Sequence, residues 1–218
     1  MENNTKVQAY FQRANRLFNS IYTGEKSAFG RYLDKVLRPD MKKRFVLTVN
    51  EIQKRQPQRL IDIGIGPGQY LKAYTEIGVP CTTALDFSAP MLDLAKEVVG
   101  ELPSGVEVEY VVEDFMDTDL EHKYDIAVAM GVLDYIQNPL EFISKIRQSI
   151  TDCALISFPS ISIWRTPIRK MRYWYKRCPV FFYTRNEIEV LARDAGFRSS
   201  YIHKIRGSGM DFWARFEV

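Results

Sequence analysis

Twelve residues carry most of the chemistry open to this chain. In Leu60-Ile61-Asp62-Ile63-Gly64-Ile65-Gly66-Pro67-Gly68-Gln69-Tyr70-Leu71 an apolar strand meets a carboxylate, then three alternate glycines, then a run with helical texture. A buried strand that ends at glycines lets backbone approach a ligand, which is how doubly wound α/β domains hold nucleotide-like cofactors. A dinucleotide site requires G-x-G-x-x-G. Here the third glycine, Gly68, comes one residue early and Gln69 fills the required slot. Asp62, two residues before the first glycine, would repel a pyrophosphate and attract an ammonium. The pattern therefore asks for a ligand with a nucleoside at one end and a cationic amino acid at the other. A variant dinucleotide site and a plain strand–turn–helix are the alternatives.

A second acid agrees with this. Asp86 lies 22 residues after Gly64, near the spacing at which a carboxylate accepts from ribose hydroxyls. Either Asp86 or Ser88 could instead cap the helix that follows. Ser88 is the better cap, which leaves Asp86 for the ribose and puts Phe87 and Met91 where a base could lie on apolar surface. S-adenosylmethionine has both of the required ends. On Asp62, Gly64, Gly66 and Gly68 the chain resembles the class I S-adenosylmethionine-dependent methyltransferases of small-molecule type, whose first motif reads [D/E]-x-G-x-G-x-G. The resemblance implies an enzyme with S-adenosylmethionine as cofactor; separately, the two histidines, His122 and His203, are too few and too isolated to suggest metal chemistry. It also implies an α/β, Rossmann-like, doubly wound seven-stranded sheet, mostly parallel with a C-terminal antiparallel hairpin and helices on both faces. By the same resemblance, Asp114 meets the exocyclic amine of adenine and Phe115 stacks on its ring; a solvated acidic loop with Glu113, Asp117, Asp119 and Glu121 is the alternative. The run from Tyr124 to Ile136 resembles the family's fourth motif, which implies contacts to the methionine part from the backbone of Met130 and from Tyr135. Asp125 reads as a residue at the start of that strand, not as a catalyst.

The elements that must hold these residues can be read from periodicity. Helical spacing over 5–21, 26–36 and 40–54 makes residues 1–56 an N-terminal helical extension that folds over the pocket as a lid. After Pro57 short apolar runs alternate with amphipathic ones, the texture of βα units in a methyltransferase domain over 57–218. Strands are expected over 59–63, 82–85, 107–112, 124–129, 154–158, 201–205 and 211–216. Helices are expected over 69–77, 90–99, 139–149 and 186–195. The strand from Asp125 to Met130 is apolar on both faces, as a central covered strand must be. The last two strands are too close for a helical crossover and should pair antiparallel.

Composition narrows the class. At 218 residues, 46% hydrophobic and 26% charged, the chain suits one globular α/β unit. Thirty basic against 27 acidic residues leave +3, so net charge calls for no nucleic-acid partner. Cys81, Cys153 and Cys178 have no C-x-x-C spacing, which favours reduced thiols. The first residues lack the apolar core of a signal peptide, and a cytoplasmic location is expected. The sequence leaves the oligomeric state open.

The acceptor side is less determined. Methyl transfer is an in-line displacement in which alignment supplies much of the catalysis, and a base is needed only where the acceptor must lose a proton. Asp134 is the first candidate base, with Tyr10, Tyr22 and Tyr183 as positioning groups; a helix cap or solvated carboxylate is the alternative for Asp134. From Phe158 to Pro179 six basic residues, Arg165 and Arg169 among them, occur without an acid and are interleaved with Trp164, Tyr173, Trp174 and Tyr175. A lid insertion over about 159–183 accounts for this, with Arg165, Arg169 and Tyr183 on the acceptor. The other readings are a solvated helix face, an anionic membrane surface, or stacked single-stranded nucleic acid. Aromatics beside a cofactor pocket favour a small anionic or amphiphilic acceptor. The layout is broadly similar to magnesium-protoporphyrin O-methyltransferases, including a strand that ends in Ser157-Phe158 before a basic lid. A nucleic-acid methyltransferase is disfavoured because Met130-Gly131-Val132-Leu133 stands where N-P-P-[Y/F] would be needed. A cofactor-binding partner protein without catalysis is the third reading.

Overall fold

The computed structural model describes residues 39–120, 122–160, 180–205 and 211–218. Tyr10, Tyr22, Arg165 and Arg169, and the helices expected over 5–21 and 26–36, lie outside the described residues. The elements run α1 (Pro39–Arg55), β1 (Arg59–Ile63), α2 (Gln69–Ile77), β2 (Cys81–Asp86), α3 (Ala89–Val99), β3 (Glu107–Val112) and β4 (Tyr124–Ala129), then α4 (Pro139–Ser149), β5 (Ile150–Phe158), α5 (Arg185–Asp194), β6 (Ser199–Lys204) and β7 (Phe212–Glu217). The seven strands form one sheet in the order β3-β2-β1-β4-β5-β7-β6. All neighbours from β3 to β5 are parallel, and β7 is antiparallel to both β5 and β6. The expected pairing of the last two strands is therefore present, with β7 inserted against β5. The fifth strand starts earlier than its apolar run suggests, because Tyr124 pairs Ile150 beyond an irregularity in the β4–β5 register.

Side chains alternate across the sheet and divide the core into two layers. On one face Ile61, Ile63, Ala127, Ala129 and Ile156 pack under α4 and α5 through Phe142, Ile146 and Ile188. On the other, Leu60, Ile126, Val128 and Leu155 pack under α1, α2 and α3 through Ile52, Leu71, Tyr74 and Leu92. Most of these side chains are wholly buried, each contributing on the order of 1.5–3 kcal/mol relative to exposure. The chain reverses its strand order between β1 and β4, and the crevice at the carboxyl ends of those strands is where such sheets bind ligands.

Helix α1, expected as part of a lid, is fastened to the sheet. Ile52 is wholly buried. Arg55 binds the carboxylates of Glu51, Asp152 and Glu217, and Arg215 reaches Glu51 at 3.0 Å. Trp213 Nε1 donates to Thr48 Oγ1 at 3.0 Å. These contacts fix the helix on β5 and β7, so that its earlier turns reach the crevice.

Candidate functional site

The glycine loop leaves β1 at the crevice and turns back against its neighbours. Gly64 N and Ile65 N both donate to Leu85 O, at 2.8 and 3.2 Å, which ties the loop to the end of β2. Gly66 has φ +56°, and a Cβ there would meet nothing within 4 Å, so it borders open space. Gly68 answers a different need. A Cβ at that position would come within 2.7 Å of Ala95 Cβ and 2.8 Å of Ala95 Cα, so glycine lets α2 begin directly against α3.

Asp62 is 3% exposed, and its Oδ2 is buried with no hydrogen-bond partner among the described residues. Burial pushes this carboxyl up to about 8; the Tyr74 hydroxyl, close by but without hydrogen-bond geometry, draws it partly back, and Asp86 adds to the rise. An unmatched buried carboxyl at the head of a ligand loop is the expected receptor for a cation, so Asp62 fits the ammonium of S-adenosylmethionine. Asp86 is used differently from the expectation. Its Oδ1 accepts from Ser88 N at 2.9 Å and its Oδ2 from Gly66 N at 3.0 Å, so the carboxylate itself braces the loop. Ser88 occupies the cap position without a side-chain cap bond, and its Oγ has no partner among the described residues. Burial raises the Asp86 pKa and the two amides oppose that rise. Each oxygen keeps a further lone pair for ribose hydroxyls.

Phe87, half-buried, follows this carboxylate just before the cap of α3, and Met91, buried, lies in the helix's first turn. Asp114 forms a turn after β3, with Oδ1 accepting from Met116 N at 3.0 Å and its carbonyl accepting from Asp117 N and Thr118 N. Phe115 corrects an expectation. It is 3% exposed and packs its ring on Phe142 with centroids 5.1 Å apart, so the ring belongs to the core and not to adenine. Its apolar character was legible; the direction it points is set by α4.

The turn after β4 is held from four sides. Gly131 N donates to Ser157 Oγ at 2.8 Å, Tyr135 N to Val132 O at 3.0 Å, and Phe181 N to Asp134 O at 2.9 Å. Tyr183 Oη donates to Leu133 O at 3.2 Å. Tyr183 is thus a brace for the turn, although its ring also lines a cavity of about 350 Å³ with Ser160, Thr184, Arg185, Lys204 and Phe212. Met130 and Tyr135 are half-buried, and Thr48 Oγ1 donates to Met130 Sδ at 3.7 Å. Asp134 is half-buried on the turn, and its charge bears on both Arg44 and Tyr183. Asp125 accepts from Gln58 N and Arg59 N at 2.7 and 3.0 Å and joins the starts of two strands, as expected.

Arg44 was not foreseen. From α1 its Nε donates to Tyr70 Oη at 3.3 Å and its Nη1 to Ser157 Oγ at 3.1 Å, and a Cβ on Gly131 would lie 3.8 Å from both terminal nitrogens. A cation on an amphipathic helix normally reads as solvated face, and only the i, i+4 relation to the buried Thr48 marks it. At the opposite edge of the sheet, ligand atoms of Asp152, Cys153 and Glu217 lie within 4.8 Å of one another, but Arg55 binds both carboxylates.

A family model described as a methyltransferase domain matches residues 29–201. The chain belongs to that family. Its seven-stranded fold is that of the class I methyltransferases, the class whose cofactor is S-adenosylmethionine. Among solved structures, the chain is similar to magnesium protoporphyrin IX methyltransferase from Synechocystis PCC 6803 with bound S-adenosylhomocysteine, with a TM-score of 0.79 and 17% identity over 98% of this chain and 99% of that one. It is also similar to Burkholderia thailandensis 1,6-didemethyltoxoflavin-N1-methyltransferase, with a TM-score of 0.69 and 16% identity over 99% of this chain and 88% of the other. A curated relative, malonyl-[acyl-carrier protein] O-methyltransferase of Halalkalibacterium halodurans, is 26% identical over 110 residues, which cover 48% of this chain and 40% of the relative. No helix among the described residues is long and apolar enough to cross a membrane.

Proposed function

We propose that this methyltransferase acts on a small acceptor, anionic or amphiphilic, presented at the carboxyl ends of β4 and β5. S-adenosylmethionine supplies an activated methyl group on a sulfonium. Asp62 takes the ammonium of its amino-acid end and holds that end at the β1–β4 crevice. Asp86 keeps Gly66 drawn in and accepts from the ribose hydroxyls, Asp114 receives the adenine amine, and Phe87 and Met91 offer apolar surface to the ring. Met130 and Tyr135 line the methionine end. Where the acceptor carries a proton on its nucleophile, Asp134 is the group on the braced turn that can accept it.

The unmatched carboxyl of Asp62 at the mouth of an open glycine loop carries this reading. For the acceptor, the support is the cavity of about 350 Å³ beside the fourth-motif turn, a size suited to a small molecule, with the cations Arg185 and Lys204 in its lining. The solved relatives named above include small-molecule methyltransferases, which agrees with such an acceptor. The test uses methyl-labelled S-adenosylmethionine with a deproteinised, nucleic-acid-free metabolite extract, and in parallel with RNA and protein. Label is expected in an acidic, extractable small molecule. Label confined to macromolecules, or no transfer at all, overturns the proposal.

A further inference from the structure

The cavity of about 350 Å³ beside the fourth-motif turn presents several polar side chains, and most of them are already committed. Tyr183 Oη donates to Leu133 O at 3.2 Å. Thr184 Oγ1 donates to Glu187 Oε2 at 2.8 Å and accepts from Glu187 N, closing the capping box at the head of α5. Arg185 donates from Nη2 to Ile202 O at 2.6 Å and from Nη1 to Glu189 Oε1 at 3.3 Å, which fastens α5 to β6. Lys204 differs. Among the described residues its side chain makes no ion pair and no hydrogen bond, and its ammonium lies 5.4 Å from the centroid of the Phe212 ring.

The sheet fixes where that ammonium stands. Phe158 pairs with Phe212 across β5 and β7, and Phe212 pairs with Lys204 across β7 and β6. Residues paired directly across strands share a face, so the three form one row at the carboxyl end of β5. Phe158 is wholly buried and Phe212 is 5% exposed, while Lys204, on the edge strand, is exposed. Tyr183 sets its ring edge-on against Phe158, with centroids 5.2 Å apart. The cavity thus has an aromatic wall in Tyr183 and Phe212, with one cation held over its outer end. Three strand spacings, about 14 Å, separate β6 from β4, whose following turn carries Asp134.

A flat apolar body with one negative charge at its far end complements this arrangement. A single ammonium balances one carboxylate. A phosphate monoester, with close to two charges, asks for a fork or a second cation, and the guanidinium of Arg185 is engaged elsewhere. We infer that Lys204 reads a single carboxylate on the acceptor, at the end remote from the turn after β4. The carboxylate that is recognised and the atom that is methylated are then different groups. This rests on the small anionic acceptor proposed above and adds to it the charge, its place on the molecule and the residue that reads it.

The test uses protein saturated with S-adenosylhomocysteine, which occupies the cofactor crevice, and two flat probes, 2-naphthoate and its neutral analogue 2-naphthamide. By calorimetry the wild type should bind naphthoate about threefold to tenfold more tightly than naphthamide, the scale of one partly exposed charged contact. Lys204→Gln should abolish that preference by weakening naphthoate alone, and Lys204→Arg should keep it. An unaltered preference in Lys204→Gln overturns the inference and leaves the anionic acceptor standing, with another cation as its reader. Equal weakening of both probes also overturns it, because Lys204 would then only shape the wall. A wild type without any preference contradicts the anionic acceptor itself. In the labelling experiment the product should keep its label through mild alkali. Release of the label as methanol would mark a methyl ester of the carboxylate and overturn the separation of the two groups.

Discussion

Arg44 and Arg55 stand on the same helix, 11 residues and about 16 Å apart, in opposite electrostatic circumstances. Arg55, at the amino-terminal edge of the parallel strands, is surrounded by Glu51, Asp152 and Glu217. Arg44, at the carboxyl edge, finds only hydroxyls among the described residues. The carboxylates differ in the same sense. Burial tends to raise Glu51, but Arg55 and Arg215 outweigh it and hold it below its ordinary value. Asp62 has no cation beside it among the described residues and is pushed up to about 8. One edge of the sheet is internally neutralised, which suits a fastening. At the other, a buried carboxyl and a guanidinium have no ionic partner among the described residues, which suits a ligand that brings the complements.

If the carboxyl edge is built for a ligand, the largest effect should come from filling its open space. Gly66→Val is expected to reduce S-adenosylhomocysteine binding more than a hundredfold with the fold retained. A β-branched residue is strained at φ +56°, by about 1–3 kcal/mol, and its methyl groups enter the cofactor's space. Calorimetry with a circular-dichroism melt checks both halves; normal affinity would place the site elsewhere.

A smaller effect, of opposite kind, is expected at the fastened edge. Arg55→Ala should cost about 1–2 kcal/mol of stability by urea denaturation, a partly screened value for a partly exposed network, and leave the affinity of the folded protein for S-adenosylhomocysteine unchanged. The sign of its pH dependence follows from Glu51. A carboxyl depressed on folding stabilises above its unfolded pKa, and that contribution is lost as pH falls through the folded value. Arg55→Ala should therefore flatten the acid limb of the stability profile. A variant with weakened cofactor binding and an unaltered acid limb would erase the distinction between the two edges.

The first edge was the more legible in sequence. Glycine spacing, the acid before it and the acid 22 residues later are local patterns, and the loop, β1, α2, β3 and β4 fall where periodicity places them. Contacts between distant segments were less accessible. Asp86 braces the glycine loop because Gly66 N, from another loop, donates to its carboxylate, and Ser88 holds the cap position without a side-chain cap bond. The ring of Phe115 turns inward because α4 offers Phe142. Tyr183 is committed to Leu133, which sequence distance conceals. Arg44 escaped notice because a cation on an amphipathic helix has the same pattern whether it faces water or a crevice. The docking of the helix on the sheet, through Ile52, Arg55 and the bond from Trp213 to Thr48, directs that face inward.

The most direct test is the proton balance of cofactor binding. With its pKa raised to about 8, Asp62 in the ligand-free protein holds a proton at neutral pH; paired with the cofactor's ammonium it is ionised. Calorimetric titration with S-adenosylhomocysteine, in buffers of differing ionisation enthalpy, should show proton release near pH 7. Affinity should tighten as pH rises from 6 towards 8, and both effects should vanish in Asp62→Asn. Binding without proton release and with constant affinity over that range would contradict the assignment of Asp62 as the receptor for the ammonium.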